Sequence, residues 1–157
     1  MIYVTGIDPG VVHTGVVQLM LDPVVKQWQV QSCVIAGLDC DAVVEWFDTK
    51  WSFATFIEGY RQRSHFTVDA DMTRAINELK RRIPNATVLD NMGVKKVVKQ
   101  ELMELLGLWK FSSTTHHPDL RSAARIGLYG LMKNADWNPI LAGFVMDQLD
   151  GRNWTKI

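Results

Sequence analysis

Residues 2–7 form an apolar, β-branched run that closes on Asp8, and Asp8-Pro9-Gly10 supplies turn chemistry straight after it. Beyond Thr14-Gly15 a second apolar run returns through Val16, Val17, Leu19, Met20 and Leu21, so the two runs predict an antiparallel hairpin with a long loop. Over 26–35, Trp28 and Val30 alternate with Gln27, Gln29 and Gln31, which predicts a third strand with one covered and one wet face. Gly37-Leu38-Asp39 breaks the pattern. Asp39 or Asp41 then caps a helix to about residue 50 that turns Val43, Val44 and Phe47 inward. A fourth strand over 52–58 ends like the first, on an acid and a glycine, here Glu58-Gly59.

After a polar, basic stretch at 61–66, Val68, Met72, Ala75, Ile76 and Leu79 recur at helical spacing, predicting a helix over 67–82 with Lys80, Arg81 and Arg82 at its negative end. Pro84-Asn85 ends it, and 86–89 reads as a short fifth strand. Val94, Val97, Val98, Leu102, Leu105 and Leu106 then mark one face of a helix over 94–106 that Gly107 stops, with Lys95, Lys96 and Lys99 on another face. A further helix starts at His117 or Pro118, because proline suits the first turn. Its stripe is Leu120, Ala123, Ala124, Gly127, Leu128 and Leu131, with small residues in the middle that allow close approach to the sheet. Asn138-Pro139 opens a last helix to about residue 149, and the tail 150–157 carries no legible pattern. No repeat, low-complexity tract or linker interrupts the chain, so 1–157 is expected to be one domain.

Composition changes this picture little. The chain has 157 residues, 47% of them apolar, ordinary for a globular domain, with neither a membrane-length apolar run nor a signal-peptide pattern at the start. A soluble, cytoplasmic protein with no membrane partner is expected. Cys33 and Cys40 are too few for a disulfide framework and read as reduced thiols. Charge is more informative in its distribution than in its sum of zero. Residues 1–60 hold two basic against seven acidic side chains, and residues 61–133 hold thirteen against seven. An acidic pocket beside a basic rim fits a metal site next to a phosphate-binding surface.

The candidate chemistry lies at strand ends. A carboxylate closing an apolar strand is costly to bury unpaired, and two predicted strands deliver one each, Asp8 and Glu58. If those strands are parallel neighbours, as the helical crossover between them suggests, both acids share one sheet edge. His116-His117-Pro118-Asp119 adds a histidine and an aspartate three apart in or just before a first helical turn, where the helix dipole favours an ionised carboxylate. Three carboxylates and one imidazole are what a pair of hard divalent cations needs: Mg²⁺ takes oxygen ligands, and an imidazole widens acceptance toward Mn²⁺. Two such ions can cleave a phosphodiester with no side-chain nucleophile.

Gly6-Ile7-Asp8-Pro9-Gly10 with Thr14-Gly15, Phe56-Ile57-Glu58, and His116-His117-Pro118-Asp119 followed by Arg121-Ser122-Ala123-Ala124-Arg125 together resemble, in order and spacing over residues 2–133, the RuvC-type Holliday junction resolvases of the RNase H-like superfamily, in a compact form of the kind found in phages. The resemblance implies an α/β, RNase H-like fold: a five-stranded mixed sheet, antiparallel over strands 1–3 and parallel over strands 1, 4 and 5, flanked by helices. It implies that Asp8, Glu58 and Asp119 are catalytic carboxylates binding two Mg²⁺, with Mn²⁺ as a substitute, and that His116 is the fourth ligand, with His117 as rival. It further implies an endonuclease that resolves four-way DNA junctions by paired symmetric nicks, as a homodimer formed through the helix over 67–82. Arg61, Arg63, Lys95, Lys96, Lys99, Arg121 and Arg125 would then contact DNA phosphates, and Tyr60 or Phe66 would wedge at the strand exchange point.

Three other readings compete. The opening motif also resembles the phosphate loop of the actin, sugar-kinase and heat-shock ATPase fold, but that fold needs two such halves and 157 residues supply one; no nucleotide cofactor is expected. The same fold could serve a nuclease for forks, flaps or RNA–DNA hybrids, or a non-catalytic junction-binding protein.

Overall fold

In the computed structural model, which describes residues 1–48, 50, 52–59, 67–111 and 115–157, the predicted hairpin forms the centre of the sheet. β1 (Ile2–Asp8) and β2 (His13–Asp22) pair antiparallel from Ile2 opposite Leu21 to Asp8 opposite Gly15. β3 (Gln27–Ala36) continues the antiparallel order on β2. α1 (Cys40–Asp48) follows, capped by Asp39, whose Oδ1 accepts the Ala42 N–H at 3.0 Å. The crossover returns the chain as β4 (Ala54–Gly59), parallel to β1. α2 (Thr67–Arg82) then leads to β5 (Ala86–Asp90), parallel to β4.

The sheet has six strands, in the order β5-β4-β1-β2-β3-β6, where five were expected. The sixth is β6 (Thr155–Lys156), from the tail that carried no pattern. It pairs parallel to β3, with the Thr155 N–H donating to the Lys26 carbonyl at 2.8 Å and the Ile157 N–H to the Trp28 carbonyl at 2.9 Å. Two residues are too few to show a hydrophobic period. What holds them is tertiary: Trp154 packs edge-on against Phe144 at 5.0 Å and donates its indole N–H to Asp147 at 3.0 Å.

The expected helix over 94–106 is two, α3 (Val94–Val97) and α4 (Gln100–Leu105), separated by an extended Lys99. In one continuous helix, positions five apart point about 140° away from each other. Val98 and Met103 are nevertheless both fully buried, and the break is what lets both face the same core, leaving Val97 exposed. Gly107, at φ 71°, ends the segment as expected. α5 (His117–Lys133) and α6 (Asn138–Leu149) complete the chain. Among the described residues no helix is long and apolar enough to cross a membrane.

Strand parity sorts the core into two layers. Ile2, Val4, Val17, Leu19, Leu21 and Phe56 face α5, while Ile7, Val16 and Ile57 face α1 and α2, meeting Val43, Met72, Ile76 and Leu79. Cys33 and Ile35 pack on the second layer, so the face of β3 expected to be wet is partly covered near its end. Both cysteines are free thiols. α5 lies unusually close to the sheet: a Cβ placed on Gly6 would stand 1.9 Å from the Ala123 carbonyl oxygen, and one on Gly15 would stand 2.5 Å from that of Asp119.

At the opposite end of the sheet, Asp147 on α6 accepts from Lys26 Nζ at 3.0 Å and from Trp154, tying together the β2–β3 turn, α6 and β6. Those two hydrogen bonds hold its carboxyl below the ordinary value of 3.8. A depressed carboxyl stabilises the fold above its unfolded pKa and stops doing so as pH falls through the folded one. Asp147→Asn is therefore expected to melt earlier than wild type at neutral pH, with the gap closing as pH drops below 3.8. Melting curves at a series of pH values check this.

Candidate metal centre and adjoining cleft

The same parity places the functional side chains. Asp8 shares a face with Ile2, Val4 and Gly6; Glu58 shares one with Ala54 and Phe56; His13 shares one with Val17, Leu19 and Leu21. All three therefore belong to the α5 layer, at the end of the sheet where the first turn of α5 presents Asp119 and its cap residue His116. Gly15, opposite Asp8 in the β1–β2 register, is the gap through which α5 brings Asp119 in. The loop between Asp8 and His13 is clamped. Thr14 Oγ1 donates to the Gly37 carbonyl at 2.7 Å and accepts the Gly10 N–H at 3.3 Å, while the Gly37 N–H donates to the Val12 carbonyl at 2.8 Å.

Asp8 is hydrogen-bonded to Glu58 and stands within electrostatic reach of Asp119. Burial, then that hydrogen bond, then the repulsion of the two acids push its carboxyl up to about 9. Three acids crowded into a partly buried corner form an oxygen-rich donor set in need of positive charge, which is the chemistry of a hard divalent cation site. Glu58 is steadied from outside by Asn91, whose Nδ2 donates to Oε1 at 2.7 Å.

Of the two histidines in the motif, His116 is the one beside Asp119, with Nδ1 to Oδ2 at 3.7 Å. His117 turns the other way, its Nδ1 accepting the Phe111 N–H at 3.0 Å and its ring lying along that of Phe111. His13 was not singled out from the sequence. Its ring centroid lies 4.1 Å from that of His116, and ligand atoms of His13, His116 and Asp119 all fall within 4.8 Å of one another.

Beside the acids opens a cleft of about 390 Å³, lined by Glu58, Asn91, Lys95, Lys96, Ser122 and Arg125 among others. Arg125 stands over the Trp109 ring at 5.6 Å, and its buried Nε has no hydrogen-bond partner among the described residues. Arg121 is more committed to the fold: Nε donates to the Trp109 carbonyl at 2.7 Å and the guanidinium stacks on that indole at 3.9 Å. Lys99 is exposed at the break between α3 and α4 and is not among the cleft residues. Tyr60, Arg61, Arg63 and Phe66 lie outside the described residues.

No protein-family model and no curated protein matches this sequence. Solved structures do resemble it. Thermus thermophilus RuvC in complex with a Holliday junction substrate superposes with a TM-score of 0.61 at 15% identity, over 97% of this chain and 98% of that one. Thermus thermophilus RuvC by itself gives 0.60 at 15% identity, over 94% and 96%. Fowlpox virus resolvase with substrate Holliday junction DNA gives 0.49 at 10% identity, over 82% and 96%. The chain thus has the mixed α/β, RNase H-like fold. Within that class its architecture resembles that of Thermus thermophilus RuvC along nearly its whole length, and its sheet carries the short β6 beyond the five strands expected from the sequence.

Proposed function

We propose that the protein is a metal-dependent, structure-selective endodeoxyribonuclease that resolves four-way junctions in recombination or replication intermediates. The observation that carries this reading is the meeting of Asp8, Glu58 and Asp119 at one corner of the sheet, next to a cleft edged by Lys95, Lys96 and Arg125.

Asp8, Glu58, His116 and Asp119 would hold two divalent cations, Mg²⁺ or Mn²⁺ in its place. Such ions supply an activated water and countercharge for the leaving oxygen of a phosphodiester. The chain's own contribution is placement. Asp8 is the neighbour common to Glu58 and Asp119, and Asn91 fixes the rotamer of Glu58. Lys95, Lys96 and the Arg125 guanidinium would offer donors to a DNA phosphate lying in the cleft, a contact that positions without reading sequence. Lys99 and Arg121 extend the basic surface; the sequence reading adds Arg61 and Arg63 as phosphate contacts and Tyr60 or Phe66 as the side chain that would stack at the exchange point. Paired nicks need two sites related by a two-fold axis, which a homodimer through α2 supplies.

The decisive experiment incubates the protein with Mg²⁺ or Mn²⁺ and synthetic four-way junctions, forks, flaps, RNA–DNA hybrids and plain duplex, and maps the nicks. Symmetric nicks confined to junctions are expected, and lost with chelator. Cutting of hybrids or flaps in preference to junctions would transfer the reading to another nuclease of this fold, and binding without any cutting would reduce it to a junction-binding protein. Asn91→Ala is expected to slow nicking about 10- to 100-fold, the usual cost of removing a residue that orients a metal ligand, with melting temperature little changed. Single-turnover rates check it.

A further inference from the structure

We propose that His13 is a metal ligand, completing with His116 and Asp119 a nitrogen-rich site that takes a transition-metal ion, Mn²⁺, Co²⁺ or Zn²⁺, in preference to Mg²⁺. The inference deepens the nuclease reading by giving one of its two ion positions a distinct preference, and it rests on that reading only for the reaction the ion would serve.

Two separate pieces of backbone, the start of β2 and the start of α5, bring the ligands together. His13 is the first residue of β2, held by the clamped loop in which Thr14 bonds both Gly10 and Gly37. His116 is the cap of α5, and Asp119 lies in its first turn. The two imidazoles stand 4.1 Å apart between centroids and inclined by 43°, and the candidate ligand atoms of the three residues lie within 4.8 Å of one another. All three side chains are partly exposed, so an ion can enter and keep water or substrate in its remaining positions. A small opening lined by His13, Ser32, Ala36, His116 and Leu120 leads to the two rings from the β3 side.

The donor set determines the ion. Mg²⁺ demands oxygen ligands and gives up its waters reluctantly, so two imidazoles in place of two oxygens disfavour it. Imidazole nitrogen suits first-row transition ions, whose affinities for such a site rise from Mn²⁺ through Co²⁺. Two nitrogens and one carboxylate oxygen with open positions is also a ligand set used by catalytic zinc. The acids on the Asp8 and Glu58 side carry no nitrogen and remain suited to Mg²⁺, so the two halves of the site would differ in preference.

The test uses the full-length protein and Co²⁺ as probe. Wild type is expected to bind Co²⁺ with visible ligand-field absorption and to show two far-shifted exchangeable imidazole N–H resonances, one for each ligated histidine. In His13→Gln one resonance is lost and Co²⁺ affinity falls at least about tenfold, while Mg²⁺ affinity stays within about twofold. A single shifted resonance in wild type, or the same Co²⁺ curve and spectrum in both proteins, overturns the proposal. The wild-type resonance count decides the matter even if the variant folds poorly. Two resonances with no cutting of any branched DNA would leave this site standing while the nuclease reading fell; junction cutting with Mg²⁺ and one resonance would do the reverse.

Discussion

Asp8→Asn is expected to abolish junction nicking, by about 10³-fold or more as for removal of a group that acts in concert with others, while leaving junction binding intact. The proposed binding donors, Lys95, Lys96 and Arg125, come from α3 and α5 and line the cleft, and Asp8 is not among its lining residues. The same substitution is expected to stabilise the metal-free fold. Asp8 is half-buried beside Glu58 and Asp119, and its carboxyl is pushed up to about 9. For a raised carboxyl the folded state holds the proton more tightly than the unfolded one, so the fold loses stability as pH climbs from the ordinary value of 3.8 toward 9. Asparagine escapes that loss. In chelator, Asp8→Asn should melt above wild type, with a margin that is smallest in acid and widens through neutral pH. Glu58→Gln should behave alike for cleavage. Full nicking in Asp8→Asn would remove Asp8 from the site, and a lower melting temperature in chelator at every pH would contradict the crowding of the three acids. A site that costs the metal-free fold stability is what a trade between stability and function predicts.

The sheet and the sequence of helices were legible because each strand carries its own period and each break its own turn chemistry. Pro9-Gly10, Gly37-Leu38-Asp39 and Pro84-Asn85 all fall between elements. The meeting of Asp8 and Glu58 followed from topology, since a helical crossover makes β1 and β4 parallel neighbours. What escaped was whatever depends on three-dimensional packing. β6 is held by Trp154 and Asp147, which no local pattern reveals. The break at Lys99 exists because Val98 and Met103 must face the same core, a demand set by α5 and α6 rather than by the segment itself. His13 did have a signal, its parity with Val17, Leu19 and Leu21 on a strand beginning beside Asp8. Ranked by residue type alone, a single histidine in a loop attracts no notice; ranked by the face it shares with the acids, it does. Which of His116 and His117 stands beside Asp119 was not legible, because that depends on the hydrogen bond that Phe111 donates to His117.

Gly6→Ala should damage both the fold and the site, for a reason that concerns neither backbone dihedrals nor chemistry. A Cβ there would lie 1.9 Å from the Ala123 carbonyl oxygen and 2.8 Å from the Gly127 nitrogen, both backbone atoms of α5, so no side chain can swing aside. Reaching an ordinary contact distance requires α5 to recede by roughly 1.5 Å. Receding would open gaps where α5 now packs closest, at Gly15 against the Asp119 carbonyl and at Gly130 against the Phe56 ring. Overpacking of this kind costs about 3 kcal/mol or more, and in a chain of this size about 1 kcal/mol moves the melting temperature by roughly 2–4 °C. The displacement also carries Asp119 away from Asp8, and a misplacement near 1 Å is enough for about a 10²-fold loss of rate. Gly143→Ala is the matched control: it lies in α6 with nothing within 4 Å of a built Cβ, so alanine there should stabilise by about 0.5–1 kcal/mol through helix propensity. Thermal melts and single-turnover nicking of the two variants side by side test the claim. Equal melting temperatures would mean that α5 does not press on β1 as described, whereas a destabilised Gly6→Ala that still nicks at the wild-type rate would separate the position of α5 from the working of the acids.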